Sequence, residues 1–158
     1  MSGSAIMSAG AAIHWRSRAQ HIVAFSSTEA ELISLGDNTP DFIHIRRLAL
    51  ELGIAQPRVI DITVPRHPHQ DDYQPMAVHE DNSSTIRILE NRMYNGRTKA
   101  IDIRLKLIRQ CVAGEIFKLI QCSTLLMLAD IFTKALAVAQ FWRLARILAG
   151  RRAQAEGE

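Results

Sequence analysis

One stretch constrains the fold of this chain more than any other. The apolar run Ile22-Val23-Ala24-Phe25 leads directly into Ser26-Ser27-Thr28-Glu29-Ala30-Glu31-Leu32. Ser26 suits a helix N-cap, because its hydroxyl can accept an orphan amide of the first turn. Glu29, three residues on, completes a capping box, and Thr28 with Glu31 repeats the spacing. Glu31 therefore has two readings: a second box partner, or a carboxylate at a helix start with no structural task. Met76-Ala77-Val78-His79-Glu80-Asp81-Asn82 ends a short apolar segment in an acid pair. Leu128-Ala129-Asp130-Ile131-Phe132-Thr133-Lys134 places an acid at a helix start. Three distant segments thus offer Glu31, Asp81 and Asp130 at the ends of elements. Taken singly, Asp81 reads as a helix cap and Asp130 as a charge favoured by the helix dipole. Taken together, they fit two-metal phosphodiester chemistry, since clustered carboxylates are stable only when cations neutralise them.

With 158 residues, 47% of them apolar and 22% charged, the chain has the length and composition of one soluble globular domain. A net charge of +3 permits a polyanionic partner without demanding one. Cys111 and Cys122 are the only cysteines. Two cysteines build no disulfide framework, so the expected setting is reducing and intracellular, cytoplasmic or nuclear. Met1 to Trp15 lacks a basic region before its apolar run and reads as a strand pair, not a signal peptide. No apolar run reaches membrane-spanning length, so no membrane association is expected.

In order, Ser4-Ala5-Ile6-Met7 and Ala12-Ile13-His14-Trp15 form a hairpin around Ser8-Ala9-Gly10. The first helix is expected to run to about Asp37 and to break or kink at Pro40, with a second helical piece from Asp41 to Leu52. Val59 to Val64 reads as a short strand and Pro65 to Pro75 as an inserted loop. Met76 to Glu80 reads as a strand and Asn82 or Ser83 to Glu90 as a helix. Asn91 to Thr98 is a basic loop. Lys99 to Val112 is an amphipathic helix with Ile101, Leu105, Ile108 and Val112 inward. Ile116 to Gln121 is a strand, and Leu125 to Lys134 and Val138 to Leu148 are further helices. The expected class is α/β, a mixed sheet with flanking helices over residues 1–150, followed by a disordered tail at 151–158. Trp15 and Trp142 are expected in core or hairpin packing. His67, His69, Asp71, Asp72 and His79 lack regular ligand spacing and read as a solvated loop with a neighbouring strand residue.

Five blocks carry a resemblance. Phe25-Ser26-Ser27-Thr28-Glu29-Ala30-Glu31 resembles the "LSSTEAEY" segment of the ribonuclease H domain of copia-type retrotransposon polyproteins, and Ala12-Ile13-His14-Trp15-Arg16-Ser17 resembles its "ISWKSKKQ" strand. Glu80-Asp81-Asn82-Ser83-Ser84-Thr85-Ile86 is similar to "CDNQSAI". Arg97-Thr98-Lys99-Ala100-Ile101-Asp102-Ile103-Arg104 is similar to "RTKHIDIR", and Leu128 to Lys134 matches "LADIFTK". In chain order the blocks run from Ala12 to Lys134, and the resemblance covers roughly Ser4 to Leu148. The resemblance implies a ribonuclease H-like fold that cleaves the RNA strand of an RNA–DNA hybrid with four carboxylates and two Mg²⁺. It assigns Glu31, Asp81 and Asp130 to catalysis and metal binding. One metal would orient and deprotonate a water while the other stabilises the leaving oxygen. Arg97, Lys99 and Arg104 are candidate phosphate contacts and Asn82 a candidate backbone or 2′-OH contact. The rest of a retrotransposon polyprotein is the further expected partner.

The departures shape the expectation. The family's first aspartate lies on a strand ahead of the hairpin, and no acidic residue precedes Glu29 here. The expected domain is therefore partial, lacking its first strand and one metal ligand, with impaired activity and an open sheet edge. Glu80 stands in place of the usual Cys and Ala100 in place of the usual His. The rival readings are a non-catalytic remnant that binds nucleic acid or protein, and an integrase-like nuclease with three carboxylates on a related sheet.

Overall fold

The computed structural model describes residues 1–54, 74–90 and 99–151, with the side chains of residues 99–102 excepted. The expected strand at Val59 to Val64, nearly all of the 65–75 insert, the basic 91–98 loop and almost all of the tail lie outside them.

Strand β1 (Ser2–Ser8) pairs antiparallel with β2 (Ala11–Arg18), with a register irregularity between Ile6 and Met7. The turn between them holds Ala9 at φ 50° and Gly10 at φ 86°. Two successive positive φ values match the right-handed twist of a tight hairpin, and glycine takes the second without strain. Helix α1 (Ser27–Glu51) follows. Strand β3 (Met76–Glu80) lies parallel to β4 (Phe117–Gln121), and the crossover carries α2 (Ser83–Glu90) and α3 (Lys99–Ala113). Such a helical crossover is what a parallel pair requires. Two 3₁₀ turns, Thr124–Leu126 and Leu128–Phe132, lead to α4 (Val138–Leu148). The fold is mixed α/β and compatible with a ribonuclease H-like arrangement. Its described strands form two separate two-stranded sheets, not one mixed sheet.

One core joins the two sheets. Leu32, Leu35 and Phe42 of α1 and Leu105, Ile108 and Cys111 of α3 pack with Ile6, Val78, Leu89 and Phe117. Phe42 and Phe117 meet edge to face at 5.9 Å. Ser4 Oγ of β1 donates to Asn38 Oδ1 of α1 at 3.0 Å. The second 3₁₀ turn comes so close to Gly3 that a Cβ there would lie 2.5 Å from Thr133 Cγ2. Strand β1 is thus held between α1 and the turn that carries Asp130.

Three expectations are corrected. Helix α1 does not break at Pro40 but continues to Glu51. Buried side chains on both sides of the proline, Leu32, Leu35 and Phe42, anchor the helix to one core. Within the turn ahead of the proline, Asn38 Nδ2 donates to Ser34 O and Thr39 Oγ1 to Leu35 O, at 2.8 Å each. The expected helix from Leu125 to Lys134 is a pair of 3₁₀ turns, since Leu125 and Leu126 are exposed and no buried stripe supports an α-helix there. Trp15 and Trp142 are on the surface, 62% and 58% exposed. Trp15 falls on the strand face opposite His14 and Arg16, which turn toward Asp41 of α1.

Candidate functional site

The start of α1 is capped much as its residue types demand. Ser26 Oγ accepts from Glu29 N at 3.1 Å. Glu29 Oε2 accepts from Phe25 N at 2.6 Å, so the box closes on the residue before the cap. Thr28 directs its hydroxyl to Asn82, whose Nδ2 donates to it at 3.4 Å. Glu31, one turn into the helix, is half-buried.

Asp81 follows the last residue of β3 and is half-buried. Asn82 caps α2 in its place: Asn82 Oδ1 accepts from Ser84 N at 3.0 Å and Thr85 N at 3.3 Å. Asp130 lies in the second 3₁₀ turn, 7% exposed, with Lys134 Nζ 2.8 Å from its Oδ2. Thr133 N and Lys134 N both donate to its carbonyl, which tightens the turn.

The three acids share one electrostatic neighbourhood. Burial raises the Glu31 pKa, and the charges of Asp81 and Asp130 raise it further, while Lys134 and the N-terminal ammonium oppose them. Glu80 joins the cluster. It is 5% exposed, and burial pushes its carboxyl up to about 7. The amide of Asn82, donating to Glu80 Oε1 at 3.0 Å, works against that rise, and the charges of Glu31 and Asp81 add to it. The Cys122 thiol is raised by burial and by Asp81, Glu80 and Asp130. Its backbone N–H donates to Glu80 O at 3.0 Å, tying β4 to the end of β3.

As placed, no three carboxylate, imidazole or thiol groups among the described residues close around a common point as a metal site requires. The donor chemistry nevertheless fits Mg²⁺, which takes hard oxygen ligands. The charges of Asp81 and Asp130 raise the pKa of Glu31, so the cluster is short of positive charge, and a divalent cation would supply it. The residues that would hold it are Glu31, Asp81 and Asp130.

The expected nucleic-acid contacts fall differently. Arg104 Nε donates to Asp37 Oδ1 at 2.7 Å, bridging α3 to α1. Its stem lies against Gly36, where a Cβ would come 2.6 Å from Arg104 Cβ. Both polar side-chain atoms of Asn82 have protein partners. Lys99 opens α3. Arg97 lies outside the described residues, as do His67, His69, Asp71 and Asp72, while His79 is on the exposed face of β3. Glu80, Thr28 and Lys134 join the site only in the folded chain. The period-two pattern in β3, which buries Val78 and Glu80 together, was the available signal for Glu80.

Comparison with known proteins adds an independent finding. The chain is 36% identical over 132 residues to the retrovirus-related Pol polyprotein from transposon TNT 1-94 of Nicotiana tabacum, covering 84% of the chain. It is 30% identical over 133 residues to the corresponding polyprotein from transposon RE1 of Arabidopsis thaliana, and 28% identical over 134 residues to that from RE2. The chain spans 8–9% of the length of these relatives. No family model and no solved structure matches it.

Proposed function

Because the chain is homologous to a segment of retrovirus-related Pol polyproteins of plant transposons, we propose that it is a ribonuclease H-like module directed at the RNA strand of RNA–DNA hybrids. One observation carries this reading. Glu31 from α1, Asp81 beyond β3 and Asp130 from a 3₁₀ turn lie far apart in sequence, yet the charges of Asp81 and Asp130 act on Glu31. When bound, Mg²⁺ would supply activation of the attacking water and neutralisation of charge on the phosphate and leaving oxygen. The chain's own residues hold the carboxylates in place. Asn82 caps α2 beside Asp81, Ser26 caps the helix that presents Glu31, and Lys134 offsets the charge of Asp130. Lys99 and Arg97 are the proposed contacts to the nucleic-acid strands, because Arg104 is held by Asp37 and Asn82 by Thr28 and the start of α2.

The resemblance calls for a fourth carboxylate ahead of the hairpin, and the first 28 residues hold none. In this reading full activity requires that group as well. A second reading is a non-catalytic module that binds hybrid or another part of a polyprotein. It is favoured by the absence of a closed three-ligand group among the described residues and by the ion pair between Lys134 and Asp130. The deciding experiment is a Mg²⁺-dependent cleavage assay on an RNA–DNA hybrid with the Asp130→Asn variant beside it. Cleavage lost in the variant supports the nuclease. Folded protein, by circular dichroism, that binds hybrid in a salt-sensitive way without cutting it supports the binder. Folded protein that neither cuts nor binds hybrid at low salt refutes both nucleic-acid readings.

A further inference from the structure

We infer that Asn82 and Thr28 form a latch that positions Asp81 against Glu31, and that Asn82 acts through Asp81 as a positioning residue. The inference rests on the reading of Glu31 and Asp81 as paired site carboxylates.

Asn82 follows Asp81 directly and is engaged on every side. Its backbone N–H donates to Glu80 Oε1 at 3.0 Å, closing the turn around Asp81. Its Oδ1 accepts from Ser84 N and Thr85 N, fixing the start of α2 to the same turn. Its Nδ2 donates to Thr28 Oγ1 at 3.4 Å, the hydrogen bond that joins this turn to the first turn of α1. Thr28 lies three residues before Glu31 on one helical face. A single side chain therefore spans the two elements that carry the two acids. Repulsion between the carboxylates of Glu31 and Asp81 favours their separation, and a contact joining the two elements opposes it. The Thr28–Asn82 bond is placed to do so, whereas a cap alone would need only the Oδ1 atom.

The latch predicts a pattern that simple stability does not. Thr28→Ser keeps the hydroxyl and is expected to behave as the parent chain. Thr28→Val keeps the shape and removes the acceptor. Asn82→Ser keeps a capping oxygen but cannot reach Thr28. Mn²⁺ alone serves as the probe, titrated by paramagnetic broadening of the Asp81 and Glu31 signals, with thermal unfolding measured in parallel. Thr28→Val and Asn82→Ser are each expected to weaken Mn²⁺ binding by roughly 3–10-fold, the loss of about one hydrogen bond. The double variant is expected to be no worse than the weaker single one, because both changes break one contact. Unchanged Mn²⁺ affinity in both single variants overturns the latch and leaves the metal reading standing.

A parent chain that binds no Mn²⁺ defeats the metal reading, and amide exchange of the metal-free protein then decides the latch. Faster exchange at Asn82, Ser84 and Thr85 in Thr28→Val than in Thr28→Ser upholds it. Equal exchange in the two overturns it.

Discussion

Replacing Glu80 with glutamine is expected to stabilise the chain at alkaline pH and leave it nearly unchanged in acid. Glu80 is buried at the end of β3, and its carboxyl is raised from 4.5 to about 7. Below the unfolded value the group is protonated in both states and costs nothing. Between the two values the unfolded chain ionises freely while the folded chain holds its proton, so stability falls as pH rises. Above the folded value the cost is constant, and a displacement from 4.5 to about 7 corresponds to about 3 kcal/mol. Glutamine keeps an oxygen to accept from Asn82 N and carries no charge. At about pH 8 the variant should gain up to about 3 kcal/mol over the parent, or about 6–12 °C in Tm. The gain should fade toward about pH 4.5. The measurement is urea unfolding of both proteins across that range with EDTA present. Parallel pH profiles, with the two proteins differing by less than about 0.5 kcal/mol throughout, would refute the reasoning. Added Mg²⁺ should narrow the alkaline gap, because a cation near the acids favours ionised Glu80.

Gly36→Ala should destabilise the chain. Its Cβ would fall 2.6 Å from Arg104 Cβ and 2.8 Å from Cγ, so α3 must move or the Asp37–Arg104 bond must break. Overpacking of about 1–3 kcal/mol, less a helix-propensity gain of up to about 1, leaves a net loss of about 1–2 kcal/mol. A variant as stable as the parent in urea would show that the close approach of α1 and α3 costs nothing to open. Pro40→Ala should act in the opposite direction. Pro40 is exposed within an unbroken helix, and alanine restores the missing N–H for about 1–3 kcal/mol of added stability. A lower Tm in that variant would mean that the proline sets a bend the core depends on.

Local chemistry made much of this molecule legible. The hairpin around Gly10, the capped start of α1 at Ser26, strands β3 and β4, helix α3 and the span of α4 are where side-chain period and turn residues place them. The candidate carboxylates Glu31 and Asp81 lie near a helix cap and at a strand end, as the local pattern places them, while Asp130 lies in a 3₁₀ turn instead of at the start of an α-helix. What was not legible depended on partners distant in sequence. Pro40 breaks a helix by local rules, yet a core spanning Leu32 to Phe42 holds α1 together across it. Arg104 looked like a free cation until α3 crossed α1 and set it against Asp37. Asn82 looked available to a ligand until Thr28, 54 residues away, took its amide.

By itself, then, the sequence determined which residues cap, turn, alternate and carry charge, because those properties depend on neighbours within a few positions. Only the tertiary structure decided which charges meet. Glu80 belongs to the acid cluster because β3 buries it beside elements carrying Glu31 and Asp81, and removal from water raises its affinity for a proton. The period-two pattern of β3 signals that Glu80 is buried, but segments dozens of residues apart decide which charges it meets there.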